Sequence, residues 1–312
     1  MNLKESAVIF PGQGSQYVGM LSEYFKQEAS FTRVFHEASE FLGINLTHLV
    51  ASGSTEDLSK TTITQPLMLT SSYAIWKCLG VESSQVKFMA GHSLGEFTAL
   101  VASEAIDFQD ALNLVSKRAK YMQESVPEGQ GGIAAIIGLD KDSVERVCNK
   151  INLEKDELVS PANLNSINQI VISGTSMGVS LAIEELKEIG AKRAISLPMS
   201  VPSHCKLMIP AAEKFKKDLD SVNISLPKSI VLHNFSASSS KNEEELRSNL
   251  IKQLYNPVRW EELILSIIKL GVESFVECGP SKVLTGLSKK IDKEKGVFSL
   301  DSYENYTKNF KK

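Results

Sequence analysis

The sequence predicts an α/β protein: a mostly parallel sheet with a smaller unit inserted in the middle of the chain. Three observations predict it. Residues 7–10, 86–90, 230–233 and 274–277 read as short buried strands, with helix-length segments such as 66–79 and 258–270 between them. Strands separated by helices of that length favour parallel pairing. Residues 131–197 have a different rhythm, and the stretches flanking them are rich in Gly or Pro.

In chain order, the first strand runs straight into Phe10-Pro11-Gly12-Gln13-Gly14-Ser15-Gln16. A helix over 66–79 opens on Pro66 and stops at Gly80, the asymmetry expected of helix ends. The second strand ends at Gly91-His92-Ser93-Leu94-Gly95, and helical runs follow at 96–102 and 110–124. Then come a strand (131–139), a helix (141–151), two strands joined by a short polar turn (158–164 and 169–174), a helix (177–189) and a strand (192–197). That β-α-β-β-α-β order is ferredoxin-like. Residues 127–132 and 198–202 read as hinges, which divides the chain into a large domain, 1–128 with 199–312, and a subdomain, 129–198. Residues 236–245 read as a polar loop entering a solvated helix face, and 303–312 as surface.

Composition bounds the function. There are 34 basic and 37 acidic residues among 312, a net charge of −3, which offers no global attraction to nucleic acid or to an anionic membrane. The four cysteines, Cys78, Cys148, Cys205 and Cys278, form no CxxC pair and no zinc spacing, so free thiols in a reducing cytoplasm are expected. No run approaches the roughly 18 apolar residues of a membrane span, and no signal peptide is read at the start. A cytoplasmic monomer without metal or cofactor is expected.

The strongest chemical signal is Gly91 to Gly95, which matches the GxSxG nucleophile elbow and gives the large sheet an α/β-hydrolase-like reading. An apolar strand precedes it and a helical run follows, so Ser93 would sit at a helix N-terminus with the Leu94 amide free to act as an oxyanion donor. A hydroxyl nucleophile needs a base. His92 is too close in sequence to meet Ser93 productively, and His36 and His48 fall in a helical region and a polar turn. His204, where the chain leaves the insertion, and His233 both stay open. The Gly12–Gly14 turn is either a plain tight turn or a loop offering an amide to the site; it lacks the signature of a P-loop. Arg118 lies on a helix with Leu114, Val115 and Met122 on one face. Such an arginine is ordinarily at the surface, but a buried one would clamp a carboxylate.

Taken together these stretches resemble one family, the malonyl-CoA:acyl carrier protein transacylases of fatty-acid synthesis. The matching segments, in family order, are FPGQGSQ at 10–16, Gln65-Pro66, GHSLGE at 91–96, Arg118, VPSHCKLM at 201–208, QLYNPVRW at 253–260 and ECGP at 277–280. The resemblance implies Ser93 as the acylated nucleophile and His204 as its base. It implies the amides of Gln13 and Leu94 as the oxyanion hole, Arg118 as the partner of the malonyl carboxylate, and Asn163 as a site-lining residue. Gln253 would orient the histidine through its main-chain carbonyl. The implied partners are malonyl-CoA and an acidic acyl carrier protein, for which Lys192, Arg193, Lys289 and Lys290 are candidate docking residues. A serine thioesterase or hydrolase on the same elbow, and a non-catalytic scaffold, are the alternatives.

Overall fold

The structure is a computed structural model, and it describes residues 3–199 and 201–311. Ser200, within the expected hinge at 198–202, and Lys312, in the expected tail, lie outside the described residues. In chain order the strands are β1 (Ser6–Phe10), β2 (Phe88–Gly91), β3 (Gly131–Ile137), β4 (Val159–Ser166), β5 (Gln169–Thr175), β6 (Arg193–Ser196), β7 (Ile230–Leu232), β8 (Ser274–Glu277) and β9 (Gly296–Ser299).

Among the described residues they form two sheets. The larger is ordered β7-β2-β1-β8-β9 and is parallel throughout. Its central strand, β1, is buried along its whole length, as a strand covered on both faces must be. Val8 and Phe10 pack into one apolar cluster and Ala7 and Ile9 into another, so the period-2 alternation of side chains feeds a core on each face. The smaller sheet, β4-β5-β3-β6, is antiparallel and has its own core of Ala134, Ile136, Val144, Ile170, Ile172 and neighbours. Its helices are Lys141–Glu154 and Ser176–Glu188. This is a mixed α/β fold with a parallel and an antiparallel sheet.

Two expectations are corrected, and one strand is added. The helix read from Pro66 begins at Thr61 and holds Pro66 inside it, because the segment is buried almost all round and packing overrides the local penalty. The tail is a helix, Tyr303–Phe310, capped by Ser302. Its Tyr306 is 6% exposed, lies 5.7 Å from the Tyr24 ring and donates its hydroxyl to the Cys78 carbonyl at 2.7 Å. The edge strand β9 was not read from the sequence; it is short and only partly buried.

Candidate active site

The carboxyl ends of β1 and β2 meet at the elbow. Ser93 adopts φ 51°, a left-handed backbone that costs a non-glycine residue about 1–2 kcal/mol. The flanking glycines make the turn possible. A Cβ on Gly91 would lie 1.8 Å from the Gly95 carbonyl carbon, and one on Gly95 would lie 2.1 Å from the Phe10 carbonyl oxygen. Asn234, just past β7, clamps the turn. Its Oδ1 accepts the Ser93 N–H at 2.6 Å, and its Nδ2 donates to the Gly91 carbonyl at 2.6 Å.

His204 reaches Ser93 across 111 residues of sequence, with Nε2 2.7 Å from the serine Oγ. Its other nitrogen lies 2.7 Å from the Gln253 carbonyl oxygen. A carbonyl only accepts, so Nδ1 carries the proton and Nε2 is left to accept from the serine. His204 is also left-handed, at φ 62°, and its N–H is held by the Leu254 carbonyl at 3.0 Å. Burial, and then the positive charge of Arg118, lower its pKa to about 3 against the opposing bond to Gln253.

Arg118 is 1% exposed. Its guanidinium donates to Gln65 Oε1 at 2.7 Å and Gln253 Oε1 at 3.0 Å, and its Nε has no partner among the described residues. Among those residues it makes no ion pair. Burial lowers its pKa to about 10, still well above neutrality, while Glu96 pulls the other way. A buried cation held by two neutral oxygens and the face of Phe97, with no carboxylate partner among the described residues, is suited to receive an anion.

A cavity of about 430 Å³ joins these groups. Gln13, Ser93, Leu94, Arg118, Asn163 and His204 all line it, and Ile133 and Val171 of the smaller sheet contribute to its wall. Neither the Gln13 nor the Leu94 amide donates a hydrogen bond to another group among the described residues, which leaves both available to an oxyanion. The cavity therefore joins, in one place, a serine hydroxyl, an imidazole hydrogen-bonded to it, two free amides and a guanidinium.

Sequence reasoning left some of the site unseen. His233, the alternative base, is buried away from the serine and bonds Glu96 at 2.7 Å. His92 donates from Nε2 to Asn165 Oδ1 at 2.8 Å, and burial lowers its pKa. Asn165, Asn234 and the side chain of Gln253 carried no local signal, since their partners lie 73 to 160 residues away. Lys192, Arg193, Lys289 and Lys290 are exposed and lie outside the cavity lining.

The acyl transferase domain family matches residues 8–309. The chain belongs to that family. It is 46% identical to the malonyl CoA-acyl carrier protein transacylase of Bacillus subtilis over 302 residues, covering 97% of this chain and 95% of that one. Among solved structures, the malonyl CoA-acyl carrier protein transacylase of Coxiella burnetii is 43% identical with a TM-score of 0.94, over 100% of this chain and 98% of that one. A malonyl-transacylase solved in complex with its type II PKS acyl-carrier protein is 41% identical with a TM-score of 0.94, over 97% of this chain and 98% of that one. Among the described residues no helix is long and apolar enough to cross a membrane.

Proposed function

We infer that this acyltransferase moves a malonyl group from malonyl-CoA to the phosphopantetheine thiol of acyl carrier protein, in two half-reactions through a malonyl ester on Ser93. The observation that carries the assignment of roles is the Ser93–His204 hydrogen bond at a cavity whose wall holds a buried arginine with no carboxylate partner among the described residues.

His204 Nε2 takes the serine proton as Oγ attacks the thioester carbonyl. The Gln253 carbonyl steadies the ring through Nδ1–H, so no acidic third residue is required. The oxyanion is received by the amides of Leu94 and Gln13, each contributing about 3 kcal/mol of barrier lowering. Coenzyme A leaves as its thiol with the proton from His204. The carrier thiol then gives its proton to His204 and attacks the ester carbonyl, and Ser93 regains its hydrogen as the bond to the malonyl group breaks. Arg118 pairs with the malonyl carboxylate and Asn163 lines the cavity beside it. The cation and the carbonyl-oriented histidine favour this reading over a general serine hydrolase. The intact catalytic pair favours it over a scaffold.

The carrier docks, on this reading, at one end of the smaller sheet. Lys290 donates to Gln169 at 2.7 Å, Gln169 pairs with Ile137, and Ile137 pairs with Arg193. Two strand spacings put Arg193 about 10 Å from Gln169, itself at the cavity wall. Lys192 and Lys289 extend that basic end, which suits an acidic partner. Residues 129–198 act as the inserted subdomain that forms this side of the cavity. Four buried free thiols support a cytoplasmic setting.

Intact-mass measurement after mixing with malonyl-CoA tests the reading. A malonyl adduct is expected on the parent and absent from Ser93→Ala, and it should discharge onto holo carrier faster than onto water. Absence of the adduct, or equal discharge with and without carrier, overturns it.

A further inference from the structure

Glu96 follows the elbow directly and is 0% exposed. Three donors converge on its carboxylate. His233 Nδ1–H reaches Oε1 at 2.7 Å, while the Asn234 N–H at 3.0 Å and Gln253 Nε2 at 2.8 Å share Oε2. His233 is anchored in turn. Its Nε2 lies 2.8 Å from Ser240 Oγ, which accepts from Asn249 Nδ2 at 3.1 Å.

Gln253 is fixed by this arrangement. Its amide nitrogen donates one hydrogen to Glu96 and the other to the Ser93 carbonyl at 2.9 Å. Its Oε1 must then face Arg118 at 3.0 Å. The reversed amide would set its oxygen against a carboxylate and a carbonyl, and its NH₂ against a guanidinium, so only one orientation is tolerable. The same residue's main-chain carbonyl orients His204. Gln253 also stands between Glu96 and Arg118. It thereby keeps the internal carboxylate from pairing with the cation that the acyl group needs.

We propose that Glu96, anchored by His233, is a positioning residue that locks the Gln253 amide and so reserves Arg118 for a carboxylate-bearing acyl group. Glu96 is not among the residues that line the cavity, so its effect on selectivity runs through the Gln253 side chain. This inference rests on the assignment of Arg118 to the malonyl carboxylate.

The test compares malonyl-CoA with acetyl-CoA in steady-state transfer to holo carrier, with circular dichroism and thermal unfolding as checks of folding. For Glu96→Gln, kcat/KM with malonyl-CoA should fall about 10- to 100-fold while acetyl-CoA changes by less than about threefold, the scale expected of an ångström-level misplacement. In an Arg118→Ala background Glu96→Gln should leave the malonyl-to-acetyl ratio where it is, since the two act in series. His233→Leu should reproduce the Glu96→Gln defect. His233→Asn should restore selectivity, because its Nδ2 takes the place of Nδ1. The His233 pair makes the same comparison if Glu96→Gln does not fold. Equal losses for both esters, full additivity with Arg118→Ala, or identical behaviour of His233→Leu and His233→Asn would overturn the proposal. If Arg118→Ala alone keeps malonyl preference, the Arg118 assignment fails. If it loses preference while Glu96→Gln keeps it, the positioning role alone fails.

Discussion

Replacing Arg118 by alanine probes the selectivity of the site most directly. In the parent the guanidinium is removed from water and held by two amide oxygens, with its Nε unpartnered among the described residues. On the proposed assignment a bound malonyl carboxylate would complete a buried pair, and deleting the arginine would strand that carboxylate. Losing one partner of a buried pair costs about 3–5 kcal/mol, which at about 1.4 kcal/mol per tenfold is about two to three and a half orders of magnitude in kcat/KM. Acetyl-CoA brings no carboxylate, so its kcat/KM should hold or rise. Arg118→Lys should recover only part of the malonyl rate, since a point charge cannot serve two amide oxygens and a carboxylate as a planar fork does. The assay is transfer to holo carrier from each ester, resolved by intact mass, on protein checked by circular dichroism. An Arg118→Ala variant whose kcat/KM for malonyl-CoA stays within about threefold of the parent, well short of the buried-pair estimate, refutes the reasoning.

Other outcomes follow from the same geometry. His204→Ala should lower kcat by about 10²–10⁴-fold, the usual contribution of a general base, as measured by initial rates. The acid limb of kcat/KM should lie well below 6.5, because the free-enzyme imidazole titrates near 3; in kcat it should lie higher, because the malonyl carboxylate offsets the charge of Arg118. The same depressed value has a sign for stability. Between 6.5 and about 3 the unfolded chain binds a proton that the folded one refuses, so this group's contribution falls as pH drops through that window, as urea titrations at several pH values would show. Charge reversal at Lys192, Arg193, Lys289 and Lys290 should raise KM for the carrier and leave KM for malonyl-CoA unchanged. Gly95→Ala, with its Cβ driven 2.1 Å from the Phe10 carbonyl oxygen, should cost more than about 4 kcal/mol, read as lost soluble yield or a collapsed Tm.

Local pattern carried the strands and the elbow because burial on both faces and a glycine-bounded turn leave direct marks in neighbouring residues. Ser274–Glu277 falls where the sequence places it, and the β-α-β-β-α-β run is met within a few residues at each end. Pro66 misled because the rule for helix starts is local, whereas the helix Thr61–Cys78 is fixed by the core around it. The final helix did carry a signal, Tyr303, Tyr306 and Phe310 on one face, masked by Glu304, Asn305, Lys308 and Asn309 between them. The bonds that hold Gln253 to Arg118, Ser93 and Glu96 span 135, 160 and 157 residues. No periodicity encodes such a contact. Resemblance pointed to Gln253 for its carbonyl; only the assembled fold exposes what its side chain does.

Ser93 and His204 both hold left-handed torsions, each fastened at its own amide by a single acceptor. Those fastenings contribute almost nothing to the bulk helix and strand content. A preparation in which either loop has relaxed to ordinary torsions would keep its far-ultraviolet ellipticity and yet be inert. For this enzyme, titration of acylatable serine, rather than ellipticity or solubility, is the measure of how much of a sample is native.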